Sequence, residues 1–578
     1  MTNPDLFTTT TEGLAEVAPP TLVRLRDGDR FDLRITPVRK DLDDGSRLRM
    51  LAYNGSIPGP TLHVDQGSTI TVHVANEGDV ETTVHWHGLR LENRFDGVPH
   101  ETQEPIPVGG TFSYQIQFPD PGFYWYHPHL REDFAQEMGL YGCIVVEPSD
   151  SSYWSPVDRQ LTLTLDDLLV EGGKVAPFRK SGPTFTAMGR FGNVLLVNGQ
   201  TEFTGEAVAG EVVRLHLVNA ANTRLFNVGL RGARAKLVGG DSGRYERETF
   251  VDEVLLAPSE RAILDVLFEA AGQVRLEHRT PDQVYDLGTF TVASPSGSTG
   301  SGAEAGAAAR SFPALRVDPE LSAERRALAG DLERAPDKVL AFVSHMPLLY
   351  GDDQSAAASL FACPMHPEVT ATEPATCPKC GMKLVPADAD AAHAGHEAHA
   401  GHEGHAEHEA HAEHEAHAEH EPPAGHEAHA GHEGHAGGDG LEWEDLMPAV
   451  NRASDPSNMI WELVDRATGA ANTAITWAFT VGDRVKIRLV NEMDSDHPMH
   501  HPFHIHGAGR FLVLARDGAP EPNLVWKDTV LLRAGETVDI LLDVSNPGLW
   551  MAHCHIAEHT ESGMMFSFDV ARRPEPVR

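Results

Sequence analysis

The chain has 578 residues, of which 41% are hydrophobic, and this length predicts three or four structural units, each with its own core. Its 46 Lys and Arg residues against 85 Asp and Glu residues give a formal net charge of −39, which excludes nucleic acid and anionic membranes as expected partners. No run of about 18 apolar residues occurs, so we expect no membrane span.

The start of the chain lacks the basic stretch followed by an apolar one that marks a secretory signal. We therefore expect a cytoplasmic protein, or an extracytoplasmic one if a leader has been removed. Two residue types indicate metal chemistry. There are 33 His residues, and three of the five Cys residues fall within one window of 18 residues. Five Cys do not form a disulfide framework in a chain of this length, so their clustering favours a metal site.

One sequence unit of ten residues occurs three times, at 67–76, 210–219 and 482–491. Each copy runs from a glycine to an asparagine, with apolar and polar residues alternating between them, which is typical of a half-buried strand. The copies lie more than a hundred residues apart, which indicates repeated domains rather than a solenoid. Short alternating runs punctuated by Gly, Pro and Asn surround them. We therefore predict an all-β protein of three β-sandwiches.

The domain boundaries are predicted where the composition changes. Domain one is expected at 1–150 and domain two at 151–293. Residues 294–336 begin with a stretch rich in Gly, Ser and Ala and are predicted to be a linker. Domain three is expected at 337–578, with an interruption of different character from 351 to 440.

Domain one contains two histidine pairs, His85 with His87 and His127 with His129. In a strand, residues two apart point to the same face, so each pair directs two imidazoles to one side. The first pair follows the repeat unit, and the second follows Gly122 by five residues.

The interruption contains two further metal-binding patterns. The first, at 361–386, combines a Cys-x-x-Cys pair with a third Cys and a His, and it resembles the small heavy-metal-binding domain of copper-transporting pumps and efflux components. Copper, structural zinc and, third, a disulfide are the alternatives for this group. Its candidate ligands are Cys363, His366, Cys377 and Cys380.

The second pattern, at 393–436, carries fourteen His residues, mostly every third residue, amid Ala, Gly and Glu. Such a composition builds no core, and we predict that this tract is disordered. It is either a tolerated low-complexity expansion or a low-affinity copper reservoir that releases metal as the pH falls through about 6.

Domain three repeats the histidine clusters of domain one, and domain two has neither of them, so we interpret domain two as a spacer. The third cluster comprises His501, His504 and His506, placed after the third repeat unit as His85 is after the first. The fourth cluster begins five residues after Gly548, as the second does after Gly122. Its members are His553, Cys554, His555, His559 and Met564.

The ligand types favour copper. Two His, one Cys and a weak axial Met form a blue-copper electron-transfer site. A zinc site would instead be a closed tetrahedron, usually with more thiolates. The candidate ligands of this site are His501, Cys554, His559 and Met564. Eight further histidines without carboxylates suit a cluster of three coppers with open positions for dioxygen. They are His85, His87, His127, His129, His504, His506, His553 and His555.

Cys554 is predicted to connect the two sites. It points away from the face that its neighbours His553 and His555 share, so the thiolate binds one copper while the two imidazoles bind the cluster. This arrangement gives a short covalent route for electrons.

The four clusters resemble the copper signatures of multicopper oxidases, which include laccases and their bacterial relatives. The resemblance implies Greek-key cupredoxin-like domains and four copper ions: one type 1, one type 2 and two type 3. It assigns His85 and His504 to type 2. The remaining cluster histidines would be the type 3 ligands, namely His87, His127, His129, His506, His553 and His555.

A near-duplicate, His497 to His500, lies just upstream of the third cluster and could shift this register. The family spacing holds only from His501, so we keep that assignment. Asp96 occupies a place similar to the family's acidic residue near the type 2 copper, where it would relay protons, although a turn role for Asp-Gly is equally compatible. Bacterial relatives place a second acid directly after the last type 1 His, where this chain has Thr560 and then Glu561.

The resemblance implies that substrate oxidation at the type 1 copper is coupled to reduction of dioxygen to water. We expect a laccase acting on phenols and aromatic amines. The alternative is a Cu(I) oxidase for copper detoxification, since relatives that oxidise Cu(I) carry a Met- or His-rich insertion at a similar place. A copper-sequestration protein and a copper nitrite reductase are weaker alternatives. Five other histidines are interpreted as structural: His63, His73, His100, His216 and His278.

Overall fold

The structure is a computed structural model, in which the chain forms two compact units. The first unit comprises Met1–Leu348 and Asp439–Arg578, and the second comprises Leu349–Gly438. The tract predicted to be disordered, 393–436, lies outside the described residues. No helix in the described ranges is long and apolar enough to span a membrane. The structure describes residues 4–295, 306–350, 360–387 and 439–573.

Domain one is a β-sandwich of a four-stranded sheet, ordered β3-β2-β5-β7, and a five-stranded sheet, ordered β1-β4-β9-β8-β6. A short helix α1 (Glu132–Ala135) and a 3-10 turn (Asn93–Phe95) lie in its connections. The strands are β1 (Leu22–Leu25), β2 (Arg30–Asp41), β3 (Arg47–Tyr53), β4 (Thr61–Asp65), β5 (Thr69–Asn76), β6 (His85–His87), β7 (Thr111–Gln117), β8 (Gly122–His127) and β9 (Gly142–Glu147).

Domain two is a second sandwich, with a six-stranded sheet ordered β13-β10-β15-β20-β17-β18 and a five-stranded sheet ordered β14-β22-β21-β16-β19. A two-stranded hairpin, β11-β12, stands beside them. The strands are β10 (Arg159–Leu168), β11 (Val170–Glu171), β12 (Lys174–Val175), β13 (Val194–Val197), β14 (Phe203–Val208), β15 (Glu211–Asn219), β16 (Phe226–Arg231), β17 (Arg234–Gly240), β18 (Gly243–Val251), β19 (Glu253–Leu256), β20 (Arg261–Phe268), β21 (Gly272–Arg279) and β22 (Val284–Ala293).

The segment predicted to be a linker is largely helical in its described part. It forms α2 (Ala307–Ser311), α3 (Pro319–Ala327) and α4 (Ala329–Glu333). Asp318 caps α3 by accepting hydrogen bonds from the amides of the first turn, and a proline occupies that turn. Leu321 and Leu328 pack into a core cluster with leucines of domain three. The segment therefore contributes to the packing of domain three as well as connecting it.

Domain three is the third sandwich, with sheets ordered β27-β23-β29-β34-β31-β32 and β28-β36-β35-β30-β33. Its strands are β23 (Lys338–His345), β27 (Ile460–Asp465), β28 (Ala478–Thr480), β29 (Arg484–Asn491), β30 (His501–Ile505), β31 (Gly509–Arg516), β32 (Ala519–Pro520), β33 (Thr529–Leu532), β34 (Thr537–Val544), β35 (Gly548–Cys554) and β36 (Met565–Ala571). Its helices are α5 (Pro347–Tyr350), α6 (Pro448–Ala453) and α7 (Ala557–Glu561), with a 3-10 turn at Asn472–Ala474.

The Leu349–Gly438 unit contains a small three-stranded sheet, ordered β25-β24-β26. Each strand is only two residues long, at β24 (Phe361–Ala362), β25 (Thr370–Ala371) and β26 (Val385–Pro386). The prediction of an all-β protein built from three β-sandwiches is confirmed.

The three sequence repeats form strands in equivalent positions. β5, β15 and β29 each pair parallel with one neighbour, β2, β10 or β23, and antiparallel with the other, β7, β20 or β34. The asparagine that ends each repeat donates its side-chain amide to two backbone carbonyls, one in the loop that follows it and one in a segment 30 to 42 residues farther along the chain; these residues are Asn76, Asn219 and Asn491. The repeated asparagine therefore fixes the loop that leads to each histidine cluster in domains one and three.

Candidate metal centre

The four histidine clusters meet in pairs on neighbouring strands. In domain one, β6 pairs antiparallel with β8, and His85 lies opposite His127. In domain three, β30 pairs antiparallel with β35, and His504 lies opposite His553. Each domain therefore carries two clusters on neighbouring strands of one sheet.

The eight histidines predicted to form the cluster converge between domains one and three. They fall into groups in which the candidate ligand atoms all lie within 4.8 Å of one another. In one group, Nε2 of His506 lies 3.2 Å from Nε2 of His129 and 3.1 Å from Nε2 of His553. The groups are His85, His87 and His504; His87, His127 and His555; and His129, His506 and His553.

Backbone carbonyls set the orientation of several of these rings. A carbonyl only accepts, so the ring nitrogen facing it carries the proton and the other nitrogen keeps a free lone pair. The Nδ1 contacts are His85 with the Asp96 carbonyl at 2.7 Å, His127 with the Pro128 carbonyl at 2.8 Å, and His504 with the Asp528 carbonyl at 2.8 Å.

The remaining nitrogens of these rings fit a metal ion. Nε2 of His85, His127 and His504 and Nδ1 of His87 are buried and have no hydrogen-bond partner. Buried polar atoms are normally satisfied, and converging lone pairs on neutral imidazoles are what a cation requires. Burial lowers the pKa of most of these rings well below 6.5, and that of His553 to about 4, which keeps them neutral.

A second group contains the predicted cysteine. The Sγ atom of Cys554 lies 3.4 Å from Nδ1 of His501 and 3.7 Å from Nδ1 of His559. Burial raises the pKa of Cys554, so a bound cation would be needed to displace the thiol proton. Met564 is buried, and its main chain hydrogen-bonds to those of Cys554 and His559. The structure thus brings three of the four predicted type 1 residues into direct contact and the fourth beside them.

This second group is closed to solvent. His501 is 1% exposed, and Cys554 and His559 are fully buried. Trp461 stacks on His559 with ring centroids 4.1 Å apart and meets His501 edge-on at 5.0 Å. Its Nε1 donates to the carbonyl of Thr186 in domain two, which fixes the indole over the imidazoles.

Asp96 lies both in a tight turn and beside a cluster histidine. It closes a turn before Gly97, whose φ is +86° and whose Cα has no room for a side chain, because a Cβ would lie 2.1 Å from the Val84 carbonyl. Its buried carboxylate also accepts from Nδ1 of His506 at 2.8 Å. The predicted proton-relay role is compatible with this position and stays a prediction.

Sequence reasoning missed two acids that lie beside cluster histidines. The Asp528 carboxylate lies 3.0 Å from Nε2 of His87, and the Glu132 carboxylate lies 3.0 Å from Nδ1 of His129. Asp528 precedes β33 and lies far in sequence from its partner. Glu132 lies three residues after His129, a spacing at which side chains meet at a helix start, and this signal could have been used.

The acid expected after the last type 1 histidine is replaced by Thr560, as the sequence suggested. The hydroxyl of Thr560 donates to the Cys554 carbonyl and lies 3.3 Å from Nδ1 of His553. The next residue, Glu561, accepts from the backbone N–H of Glu132 at 2.9 Å. Glu561 therefore ties domain three to α1 and does not contact the cluster histidines directly.

The near-duplicate histidines lie beside the cysteine site. His500 uses Nδ1 to bind the Glu442 carboxylate at 2.6 Å, and its Nε2 has no partner. Neither ring nitrogen of His497 makes a hydrogen bond of good geometry, and both rings are fully buried. The structure brings His501, and not these two, to Cys554.

The four candidate ligands of the small unit also converge. Cys363 Sγ lies 3.5 Å from Cys380 Sγ and 3.8 Å from Nδ1 of His366, which lies 3.6 Å from Cys377 Sγ. A hydrogen bond from the Cys380 thiol lowers the pKa of Cys363. These spacings suit one ion held by four ligands, and both zinc and copper remain compatible with them.

The histidines interpreted as structural have protein partners or lie on the surface. His63 contacts Glu147 at 2.9 Å, His216 contacts Gln160 at 2.8 Å, and His278 accepts from the Asn227 amide at 3.1 Å. His73 contacts Ser113, and His100 is exposed.

Fold and site together define a metalloprotein of three β-sandwich domains with a buried histidine centre and an adjoining His/Cys site. Multicopper oxidase domain models match residues 34–151 and 447–574, and a heavy metal binding domain model matches 360–387. The chain therefore contains two domains of the multicopper oxidase type and one of the heavy-metal-binding type.

Curated relatives carry names from copper biology. Copper resistance protein A of Pseudomonas syringae pv. tomato is 30% identical over 43% of this chain and 46% of its own length. Multicopper oxidase MmcO of Mycobacterium tuberculosis is 32% identical over 41% of this chain and 51% of its own. The chain thus spans about half the length of the curated relatives it matches.

Solved structures share the fold. A metallo-oxidase from Campylobacter jejuni superposes with a TM-score of 0.60 at 19% identity, covering 98% of this chain and 99% of that one. A multicopper oxidase from Pseudomonas thermotolerans gives 0.59 at 23% identity, covering 95% and 100%. At these identities the likeness shows the cupredoxin-like architecture alone.

Proposed function

We propose that this protein is a copper-dependent oxidase that couples one-electron oxidation of Cu(I) to the four-electron reduction of dioxygen to water. The two multicopper oxidase domain matches favour an oxidoreductase, and the two buried ligand groups supply places for electron entry and for dioxygen. Oxidation of phenols and aromatic amines, the laccase activity expected from the sequence, is the second candidate.

The proposed ligands follow the groups described above. Four coppers, when bound, would supply one-electron acceptance at the cysteine site and dioxygen reduction at the histidine centre. The type 1 ion would be held by His501, Cys554, His559 and Met564. His85 and His504 would hold the type 2 ion. The type 3 pair would be held by His87, His127, His129, His506, His553 and His555.

The chain connects the two groups through single peptide bonds. Cys554 belongs to one group and its neighbours His553 and His555 to the other. All three are fully buried, so the connection excludes water, and their ring and thiol positions are fixed by the pairing of β30 with β35. This arrangement supports electron transfer from Cys554 to the histidine centre.

Burial of the cysteine site favours a small reductant. A phenol passes its electron readily when its ring contacts an exposed imidazole edge, and here Trp461 covers His559 while His501 is 1% exposed. A metal ion needs only donor atoms close to the site. Phenol oxidation is therefore expected to be slow with bulky rings.

The observation that carries the proposal is a pair of spare donors beside His501. His497 and His500 are fully buried, and Nε2 of His500 and both ring nitrogens of His497 lack a hydrogen bond of good geometry. The buried thioether residue Met499 lies between them in sequence. Imidazole and thioether are ligands that copper accepts. Glu442, which binds His500, lies three residues after Asp439, the first residue that follows the Leu349–Gly438 unit in the sequence.

The test compares dioxygen uptake with Cu(I) and with a dimethoxyphenol, using His497→Phe, which keeps ring volume and removes both nitrogens. The control is His278→Phe, at a buried histidine of domain two. We expect the KM for Cu(I) to rise about tenfold or more in His497→Phe, with phenol kinetics unchanged and the control like wild type. Failure of the wild type to consume dioxygen with Cu(I), or equal losses with both substrates, would refute the proposal.

A further inference from the structure

Domain two contributes no ligand, but two of its side chains bind residues that contact the histidine centre: Ser259 Oγ lies 3.0 Å from Thr529 Oγ1, and Arg261 binds Asp528. Arg261 begins β20, and its guanidinium grips both oxygens of the Asp528 carboxylate, with Nη1 at 2.7 Å from Oδ1. Asp528 in turn holds Nε2 of His87 at 3.0 Å. The chain of contacts runs from domain two through domain three to a ligand of domain one.

Arg261 is itself held rigidly. Its Nε donates to the Phe123 carbonyl at 3.1 Å, and its Nη1 donates to the Ser259 carbonyl at 3.0 Å. Its side chain is fully buried and the Asp528 side chain is 3% exposed. A two-pronged Arg–carboxylate pair out of water has a fixed geometry, which a lysine does not reproduce.

The residue after His87 makes room for this pair. Gly88 has a φ of +83°, and a Cβ there would lie 2.5 Å from Oδ2 of Asp528 and 2.9 Å from Nη2 of Arg261. A side chain at position 88 would therefore push the pair away from the His87 ring. Gly88 therefore leaves space beside His87 for Asp528 of domain three and Arg261 of domain two.

The contact decides which nitrogen of His87 faces the centre. In His85, His127 and His504 a backbone carbonyl holds Nδ1, and Nε2 is the free atom. In His87 the order is reversed, because the Asp528 carboxylate occupies Nε2 and leaves Nδ1 free. Thr529 Oγ1 also lies 3.2 Å from Nε2 of His87, but a hydroxyl can donate or accept, so the carboxylate of Asp528 is the contact that requires the proton on Nε2.

We propose that Arg261 is a positioning residue of the copper centre: it fixes the Asp528 carboxylate, which fixes the His87 ring so that Nδ1 faces the metal. Domain two is thereby part of the metal site and more than the spacer that its lack of ligands suggested. The inference rests on the histidine centre of the proposed function, but not on the identity of the substrate.

The test uses Arg261→Lys, with Arg214→Lys as the matched control. Arg214 is also in domain two and buried, and it also grips an aspartate, Asp265, with Nε 2.8 Å from Oδ1, but the pair contacts none of the cluster histidines. Each copper-loaded variant is titrated with a chelator, and bound copper is counted per chain. The blue absorption of the Cys554 site and the thermal stability of the metal-free protein are recorded in parallel.

We expect Arg261→Lys to lose copper from the histidine centre at about 10- to 100-fold lower chelator concentration than wild type, with the blue absorption retained. Arg214→Lys should lose stability but keep wild-type copper retention. Equal copper retention in the two variants would overturn the inference.

A second variant covers the case in which Arg261→Lys does not fold. Asp528→Asn keeps the shape of the side chain and removes the charge that binds Arg261. It should also release copper from the histidine centre, and normal retention there would overturn the inference. Because copper is counted without any substrate, a chain that keeps all its copper yet fails to oxidise Cu(I) contradicts the proposed function and not this inference.

Discussion

Asp96 and Asp528 make matching contacts with the histidine centre from domains one and three. Each backbone carbonyl accepts from Nδ1 of a histidine in its own domain, Asp96 from His85 at 2.7 Å and Asp528 from His504 at 2.8 Å. Each aspartate therefore fixes one of the two histidines that are proposed to bind the type 2 ion.

The carboxylate of each of these aspartates contacts a histidine of the other domain. That of Asp96 holds His506 of domain three at 2.8 Å, and that of Asp528 holds His87 of domain one at 3.0 Å. Each aspartate thus orients one histidine of each domain, so the centre forms only when both domains are docked.

Replacement of Asp96 by Asn should separate its two roles. Asn suits the turn and keeps the backbone carbonyl that holds His85, whereas the charge beside His506 is lost. We expect copper content like wild type and a turnover about 10- to 100-fold lower, measured as dioxygen uptake with either reductant. Full activity of Asp96→Asn would leave only the turn role.

Truncation of Trp461 to Ala should open the cysteine site. The loss of the stacked indole exposes His559, so oxidation of a bulky phenol should become several-fold faster, at a stability cost of about 3–5 kcal/mol. Trp477→Ala is the control, because Trp477 is a buried tryptophan of the same domain whose ring packs on Phe566. A control that accelerates phenol oxidation equally would show that general loosening, and not uncovering, is the cause.

His216 should make domain two sensitive to acid. Burial, aided by the nearby charge of Arg214, lowers the pKa of His216 from 6.5 to about 3. Between pH 6.5 and about pH 3, His216 is protonated in the unfolded chain but stays neutral in the folded chain. The neutral His216 therefore leaves the free energy of unfolding unaffected above pH 6.5, and lowers it by about 1.4 kcal/mol per pH unit as the pH drops towards 3.

The measurement is the melting temperature of His216→Leu between pH 7 and pH 4. At pH 7 the variant loses the hydrogen bond to Gln160, at about 1 kcal/mol, but its melting temperature should fall less steeply with acid than that of wild type. His73→Leu is the control, since His73 occupies the equivalent position of the domain-one repeat and is only half-buried. Parallel curves for wild type and His216→Leu would contradict the expectation.

Removal of one thiolate from the small unit should release its metal without affecting the oxidase centre. The described part of the unit, mainly residues 360–387, has strands of two residues and few buried apolar side chains, so a bound ion is expected to stabilise it. Cys380→Ser should lower the metal content by one ion per chain, and elemental analysis of the wild type tells zinc from copper. Cys143→Ser, at a buried cysteine of β9 that contacts Thr164, should keep the ion. An unchanged metal content in Cys380→Ser would exclude the four-ligand site.

The sequence by itself determined the features that depend on neighbours along the chain. Alternation in the three repeats defined three β-sandwiches, because the side-chain period of a strand is two. Histidines two apart defined converging pairs for the same reason. The family spacing that begins at His501 predicted this residue as the ligand, and not the near-duplicate His497 or His500. The structure brings His501 to Cys554.

Tertiary structure decided what depends on residues distant in the chain. The closure of the cysteine site by Trp461, the reversed ring of His87 and the link from Arg261 through Asp528 join segments that are distant in the chain, and no periodicity records such contacts. The helices of the linker escaped the sequence analysis because their few leucines are buried by domain three and not by each other. Local spacing thus chose the donor atoms, and packing between domains decided their orientation and exposure.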